Sequence, residues 1–413
     1  MFGTERYELR LFDDPLLTFE FVGSGTSGIG TKIVAMHSAN RKLYPIELAL
    51  SDKEFPDGEL MKWLDNRIIP KYRAFVGKIL KTFGLKANDV KGIMDACMGL
   101  SLNDSYWVVP SGFAGRFSEY NLYENRFSKI LALVAYTGVG VGNVGVATSP
   151  ELTSGGALPK AWRLIEGEGI FLYKGGTIGS ANSGMEPYSE FYAAQIAERM
   201  DINHVHYDLE SWKKILASKC KLFTDINTSF IPMWKLLDKD HWNIKSILSY
   251  CKGLGEEFEN SVRDMFVFDA VVYNIDRHLG NFGVLRDNAT GEIVAPAPVF
   301  DNGASLFHQA MKSDFRNLDG YVSELFPAFK AVTFESMAED VLTQRQVAKL
   351  RRLIGFEFRP HRRYNIPKWR LKAIERYVQK RVPVLIGLAK SAAQREHVDH
   401  IQDADEGAEP PGP

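Results

Sequence analysis

Three side chains between positions 266 and 307 carry the oxygens that phosphoryl transfer needs: Asp276, Asn281 and Asp301. Asp276 heads the cluster Asp276-Arg277-His278-Leu279-Gly280-Asn281. One loop therefore offers a carboxylate able to take a hydroxyl proton and, close behind it, an amide oxygen for a metal. Asp301 opens Asp301-Asn302-Gly303 and supplies a second hard oxygen. Magnesium takes only a few protein oxygens and keeps its other positions for phosphate and water. Any one of these residues could instead cap local backbone, as Asp and Asn do in turns. The ordered set of polar loop, hairpin and acidic residue is what points to chemistry.

The elements that must hold these residues are legible around them. An apolar helix end covers 266–272, and a short apolar strand follows the loop over 282–285. Asp287-Asn-Ala-Thr-Gly291 reads as a hairpin turn, and a second strand over 292–300 delivers Asp301. Upstream, Thr153-Ser154-Gly155-Gly156-Ala-Leu-Pro-Lys160 is a small-residue loop. Gly155 and Gly156 would let backbone N–H groups approach a phosphate without a Cβ in the way. A hairpin across 161–174 places Lys174 on its second strand, where it could neutralise phosphate charge or simply be an exposed strand lysine. A helix from about 184 to 200 carries Glu190 one turn in, with Glu186 as a rival. Either acid could also just favour the helix dipole.

Asp276-Arg277-His278-Leu279-Gly280-Asn281 resembles the catalytic loop shared by HipA-like kinases and the phosphatidylinositol 3/4-kinase group. Asp301 resembles their metal-binding Asp. The upstream half is closer to the HipA-like family: the 153–160 loop, Lys160 included, resembles its phosphate-binding loop, and Lys174 resembles its nucleotide-contacting lysine. Residues 222–231, with Phe223 and Asp225, resemble the strand and hinge between lobes, whose backbone would bond the adenine edge. Glu190 would pair with the lysine. His278 would support the loop or share the base role. The resemblance runs over roughly 145–390; the first 140 residues match the family's usual N-terminal module poorly. It implies ATP and Mg2+ as cofactors, a protein Ser or Thr hydroxyl as acceptor, and an antitoxin-like partner. It also implies self-inhibition by phosphorylation of the small-residue loop, where Ser149, Thr153 and Ser154 are the hydroxyls and Ser154 the best placed.

Composition bounds the alternatives. Apolar content of 45% and charged content of 24% are those of an ordinary globular chain. A net charge of −1 supplies no global field for nucleic acid or an anionic membrane, so neither is expected as a partner. The cysteines Cys97, Cys220 and Cys251 form no metal or disulfide pattern and suit a reducing, cytoplasmic setting. No run is apolar enough to span a bilayer. The glycine run 23–31 lacks the GK[ST] ending of a P-loop and reads as a turn between strands, and a second run, 137–145, reads as a domain junction. Residues 43–50 read as a strand, 70–84 as a helix, and the last third as amphipathic helices over 320–329, 334–341, 344–355 and 367–390.

The expected architecture is a two-lobed α+β protein-kinase-like fold with an added N-terminal module and a helical C-terminal lobe. The expected divisions are 1–140 for the module, 145–230 for the N-lobe, 231–393 for the C-lobe and 394–413 for an acidic disordered tail. A lipid or small-molecule kinase with the same machinery is the nearest alternative. A catalytically inactive nucleotide-binding interaction protein is the alternative from another class.

Overall fold

The computed structural model describes residues 5–23, 29–87, 89–140, 149–179, 182–329 and 331–406. The chain divides into two compact units. The first comprises Met1–Pro187, Val205–Asp238 and Phe282–Ala297; the second comprises Tyr188–His204, Lys239–Asn281 and Pro298–Pro413. The first unit holds residues 1–140 together with most of 145–230, separate domains in the sequence reading, whereas Tyr188–His204 falls in the second. The hairpin beyond the 274–281 loop also belongs to the first unit rather than with the helices.

The first unit is built from antiparallel sheets. One runs in the order Gly30–Met36, Asp14–Val22, Arg6–Leu11, Tyr106–Pro110. A second runs Lys160–Ile165, Gly169–Gly175, Ile215–Lys221, Tyr207–Trp212. A three-stranded sheet pairs Ile293–Pro296 with Gly283–Asp287 and that strand with Thr228–Pro232. Period-two burial sets the registers: Tyr7, Leu9 and Leu11 face a core shared with Phe19, Tyr44, Leu60 and Trp63. The glycine run 23–31 joins two paired strands, with Val22 opposite Gly30; residues 24–28 lie outside the described residues, as do 141–145 of the second run.

Several expected elements differ from those observed. Residues 43–50 are helical, with Arg41–Leu43 a 3-10 turn and Ile46–Ala49 an α-helix begun by Pro45. Leu50 is 62% exposed, so the strand-like alternation there does not correspond to a buried face. The helix expected over 70–84 shrinks to Val76–Lys81, because residues before it turn inward: Arg73 is buried and Phe75 takes φ +61°. Residues 222–227 form a turn, held by Asp225 accepting from the Asn227 N–H, and the strand is only Thr228–Pro232.

The second unit is helical. Its central helix, Glu256–Val272, starts with Glu256, Glu257 and Glu259 in the first turn, favourable to the dipole, and ends wholly buried. Phe334–Val341 matches its expected span and has a Thr333–Ser336 capping box. The two helices expected over 320–329 and 344–355 are shorter, at Leu318–Val322 and Gln344–Arg351. The last helix is Lys368–Glu406, so the stretch from 394 expected as a tail begins inside it, and 407–413 lie outside the described residues. Among the described residues no helix is long and apolar enough to cross a membrane.

Candidate active site

The 274–281 loop is shaped by the end of the Glu256–Val272 helix. Tyr273 stops the helix in the left-handed region, φ +52°, and donates its N–H to the Asp269 carbonyl. Its ring, 4% exposed, is wedged between Phe334 and Phe307, which holds a conformation a bulky residue otherwise avoids. Asn274 then turns the chain by accepting from the Asp276 N–H at 3.1 Å. His278 N–H returns to the Asp276 carbonyl at 2.8 Å, and the His278 Nδ1 accepts from Gly280 N–H at 3.0 Å. The loop is thus closed on itself.

Arg277 is the hub. It is 1% exposed, while its neighbours Asp276 and His278 are exposed. Its Nε and Nη2 grip both oxygens of Asp269 at 2.9 and 3.1 Å. Nη1 donates to the Asn281 carbonyl at 3.0 Å and to the Phe300 carbonyl, and Nη2 also reaches Asn302 Oδ1 at 2.6 Å. Those contacts match the five N–H groups of a guanidinium. Burial pushes the Asp269 carboxyl up, and Arg277 opposes that shift. The sequence drew attention to the residues around Arg277 and overlooked Arg277 itself; a cation between two polar loop residues, eight positions after an acid in an apolar helix, was the available signal.

Through Arg277 the loop and the 300–302 segment are one assembly. Ile275 N–H donates to the Ala304 carbonyl and Leu306 N–H to the Val272 carbonyl, closing it further. Asp301 has φ +56°, a region Asp tolerates better than most residues. Both flanks are pinned, Phe300 and Asn302 by Arg277, and the Asn302 N–H by Glu190 Oε2 at 2.9 Å. Such strain persists where the surroundings over-determine it, often at functional sites. Glu190 is 1% exposed on the Glu186–Met200 helix. Asn281 Nδ2 donates to the Asp276 carbonyl at 2.9 Å, which leaves Oδ1 as the remaining polar atom of the amide. An amide oxygen and a carboxylate in one stitched segment suit a hard cation such as magnesium. Asp276, His278, Asn281, Asp301 and Glu190 all belong to the second unit.

The other expected site residues belong to the first unit. Pro150–Leu152 is a 3-10 turn, followed by the small-residue loop and the Lys160–Ile165 strand. Thr153 Oγ1 donates to the Leu100 carbonyl at 2.7 Å. Ser154 Oγ donates to the Pro150 carbonyl at 2.7 Å and accepts from Trp162 Nε1 at 3.0 Å. A Cβ on Gly155 would meet open space, whereas Gly156 has φ +81° and a Cβ there would meet Lys160 Nζ at 2.2 Å. Lys160 Nζ donates to the Gly155 carbonyl at 2.7 Å. Lys160 and Lys174 are directly opposite across the hairpin. Glu186, the rival acid, accepts from the Thr177 N–H at 3.1 Å. Phe223 and Asp225 sit in the turn before Thr228–Pro232, with the Phe223 ring edge-on to Phe230.

The loop is braced from the N-terminal module. Arg73 and Glu151 form a fully buried pair at 2.6 Å. Arg73 also donates to the Ser154 and Lys160 carbonyls, at 2.8 and 3.0 Å. Glu151 accepts from the Trp162 N–H with its other oxygen. Backbone bonds from Ile69 to Leu152 and from Ala74 to Ala157 complete the brace. Burial pushes Glu151 up and Arg73 down, each opposed by its partner. The pair spans 78 positions, so sequence spacing gave no sign of it.

No family model matches the chain. It is 30% identical over 136 residues to the serine/threonine-protein kinase CtkA of Helicobacter pylori strain J99, a match covering 30% of this chain and 41% of that protein. The crystal structure of a Helicobacter pylori proinflammatory kinase CtkA matches with TM-score 0.48 and 19% identity, over 60% of this chain and 96% of that one. HipA from a Shewanella oneidensis toxin–antitoxin complex with HipB and operator DNA matches with TM-score 0.50 and 11% identity, over 94% of this chain and 99% of that one. The mixed fold of antiparallel sheets and helices is therefore that of HipA. A kinase relative in sequence and a HipA protein in fold together support the HipA-like kinase family for this chain.

Proposed function

We propose that the chain is a kinase that transfers the γ-phosphoryl group of ATP to a Ser or Thr hydroxyl of a protein. The observation that carries this reading is the Arg277 assembly. It presents an exposed carboxylate, Asp276, on a loop tied to both Asn281 and the strained Asp301. The serine/threonine kinase named among the relatives agrees with it.

In this reading Asp276 takes the proton of the acceptor hydroxyl as its oxygen bonds to the γ-phosphorus and the bond to the β-phosphate oxygen breaks, releasing ADP. Asn281 Oδ1 and the Asp301 carboxylate would hold Mg2+, which would supply charge neutralisation at the phosphates. Lys174, Lys160 and the 153–156 loop bind phosphates. Glu190 holds the segment that carries Asp301, and His278 supports the loop. Phe223 and Asp225 flank the adenine.

Ser154 is the residue through which the enzyme would silence itself. Its hydroxyl is committed to Pro150 and Trp162, so phosphorylation requires the loop to open. A phosphate there, with about −1.5 to −2 charges, could not return to that position and would repel ATP phosphates. An antitoxin-like partner is proposed on the same family grounds. The HipA neighbour is seen with HipB and operator DNA, so the expectation that this chain makes no nucleic-acid contact has no support. A cytoplasmic location is part of the same proposal.

The test is incubation of the purified chain with labelled ATP and magnesium, with Asp276→Asn as control, and mapping of the labelled residues. Label on Ser or Thr in the parent alone supports the reading. No label on the chain or on any offered protein, lipid or small-molecule acceptor overturns it.

A further inference from the structure

On the second unit five arginines fall within thirteen positions: Arg351, Arg352, Arg359, Arg362 and Arg363. All five are exposed. They come from the end of the Gln344–Arg351 helix and from the loop that leads to the Lys368–Glu406 helix. Both places are held against the Glu186–Met200 helix. Gln195 exchanges two hydrogen bonds with the Arg359 backbone, at 2.8 and 3.1 Å, and Arg199 Nε donates to the Arg352 carbonyl at 2.7 Å. The arginines therefore stand on backbone that is already fixed.

Three carboxylates share this face. Asp201 pairs with Arg352 at 2.8 Å, Glu198 with Arg359, and Glu357 with Lys372 at 3.6 Å. Arg351, Arg362 and Arg363 have no carboxylate partner among the described residues. A guanidinium forks onto a carboxylate through two parallel N–H bonds, so a row of arginines suits a row of acids.

The chain itself carries such a row. Residues 396–409 hold Glu396, Asp399, Asp403, Asp405, Glu406 and Glu409, and no Lys or Arg. Glu396, Asp399, Asp403 and Glu406 are spaced three, four and three, the spacing of one helix face, and the last helix runs to Glu406. Like charges at those spacings destabilise a helix. The stripe therefore calls for cations from outside itself. Those of its own copy are out of reach. Phe358 N–H donates to Glu375, and the Gln379 amide donates to the Leu353 and Phe356 carbonyls, so the arginine run lies beside positions 375–379 of the last helix. Glu396 is seventeen residues beyond Gln379, about 25 Å along a helix at 1.5 Å per residue. A second copy turned end to end brings each stripe to the other copy's arginines, as a two-fold contact requires.

We propose that the acidic stretch 396–409 of one copy docks on the arginine face 351–363 of a second copy, giving a two-fold dimer held by arginine–carboxylate pairs. Nucleic acid suits the face less well. Glu198, Asp201 and Glu357 are interleaved with the arginines, and a net charge of −1 supplies no attracting field. The proposal does not depend on the kinase reading, because mass in solution tests it.

Sedimentation velocity on the full chain reads the dimer. The parent should be dimeric at low salt. Its dissociation constant should rise about tenfold or more between about 0.1 and 1 M NaCl, as the Debye length falls from about 10 to about 3 Å. One variant reverses the face, with Arg351→Glu, Arg362→Glu and Arg363→Glu. Another reverses the stripe, with Glu396→Lys, Asp399→Lys, Asp403→Lys and Glu406→Lys. Each alone should be monomeric, and the face variant should keep the parent's unfolding midpoint, because its three arginines are exposed. Mixed, the two should form a heterodimer, since both contacts again join opposite charges. A damaged protein would not be rescued in that way. If the face variant fails to fold, the stripe variant alone decides, by being monomeric where the parent is dimeric. A monomeric parent at low salt, a folded reversed variant that stays dimeric, or a mixture of folded variants that stays monomeric overturns the proposal. A monomeric parent that binds a duplex oligonucleotide, and binds it more weakly after reversal of the face, overturns it in favour of nucleic acid.

Discussion

Replacing Arg277 by Ala should cost the second unit about 3–5 kcal/mol, the usual result of leaving one half of a buried ion pair behind. Asp269 has 0% exposure, and of its side-chain hydrogen bonds only the one from the Asn274 amide would remain, at 3.2 Å. The abandoned carboxyl would prefer to be protonated. Burial already pushes Asp269 up, and loss of the guanidinium raises it further. A raised acid binds its proton more tightly when folded than when unfolded. Its contribution is therefore present at low pH and is lost as pH rises through the folded value. The deficit of Arg277→Ala should thus be smaller at about pH 5 than at about pH 8, and Asp269→Asn in the same background should recover part of it. Urea titration with hydrogen exchange read on the Glu256–Val272 amides reports the second unit separately, as a chain of two units requires. Arg277→Lys keeps the charge but cannot reach Asn281, Phe300 and Asn302 together. It should lower turnover about a hundredfold, the scale expected for small misplacements. A variant within about 0.5 kcal/mol of the parent, with turnover intact, would refute Arg277 as the hub.

Asp276→Asn should abolish most turnover, by about 10²–10⁴-fold for a lost general base, while the unfolding midpoint stays put because Asp276 is exposed. Gly156→Ala forces a Cβ into φ +81°; it should cost about 1–2 kcal/mol and weaken ATP binding measured on folded protein. Burial opposes ionisation of Asp104, but Arg67 grips both its oxygens, at 2.6 and 2.8 Å, and holds it below the usual carboxylate range. A lowered acid stabilises above its unfolded value and loses that stabilisation as pH falls through its folded value. The deficit of Asp104→Asn should therefore be full at neutral pH and shrink below about pH 4, read by circular dichroism.

What the sequence made legible was local. Apolar alternation over 7–12 and 17–22 falls within or across the strands Arg6–Leu11 and Asp14–Val22, the Asp287–Gly291 turn joins its hairpin, and amphipathic spacing marks Phe334–Val341. The apolar helix followed by a polar loop was visible for the same reason. What could not be read was carried by distant partners. Arg277 depends on Asn302, 25 positions away, and Arg73 on Glu151, 78 away. Those partners also explain a local error: Arg73 turns inward to meet Glu151, which breaks the helix expected over 70–84. Residues 43–50 failed differently, since alternation without burial on one face is not a strand signal.

The hairpin 282–297 is the last part of the first unit to be made, and its Arg286 fixes an order of events during synthesis. Arg286, 2% exposed, donates to the Tyr44 carbonyl at 3.0 Å and to the Tyr106 hydroxyl. Asn288 bonds the Ile226 carbonyl and Ser105. Tyr44 and Tyr106 leave the ribosome long before those partners exist, so the N-terminal module must wait with an incomplete interior. At roughly 5–20 residues per second that interval is on the order of ten seconds or more. A ribosome stalled before this hairpin emerges would leave the Thr228–Pro232 segment without the strand it pairs with, a natural target for a chaperone. The same dependence means the module cannot be shed by proteolysis without unmaking the interior it shares with the hairpin.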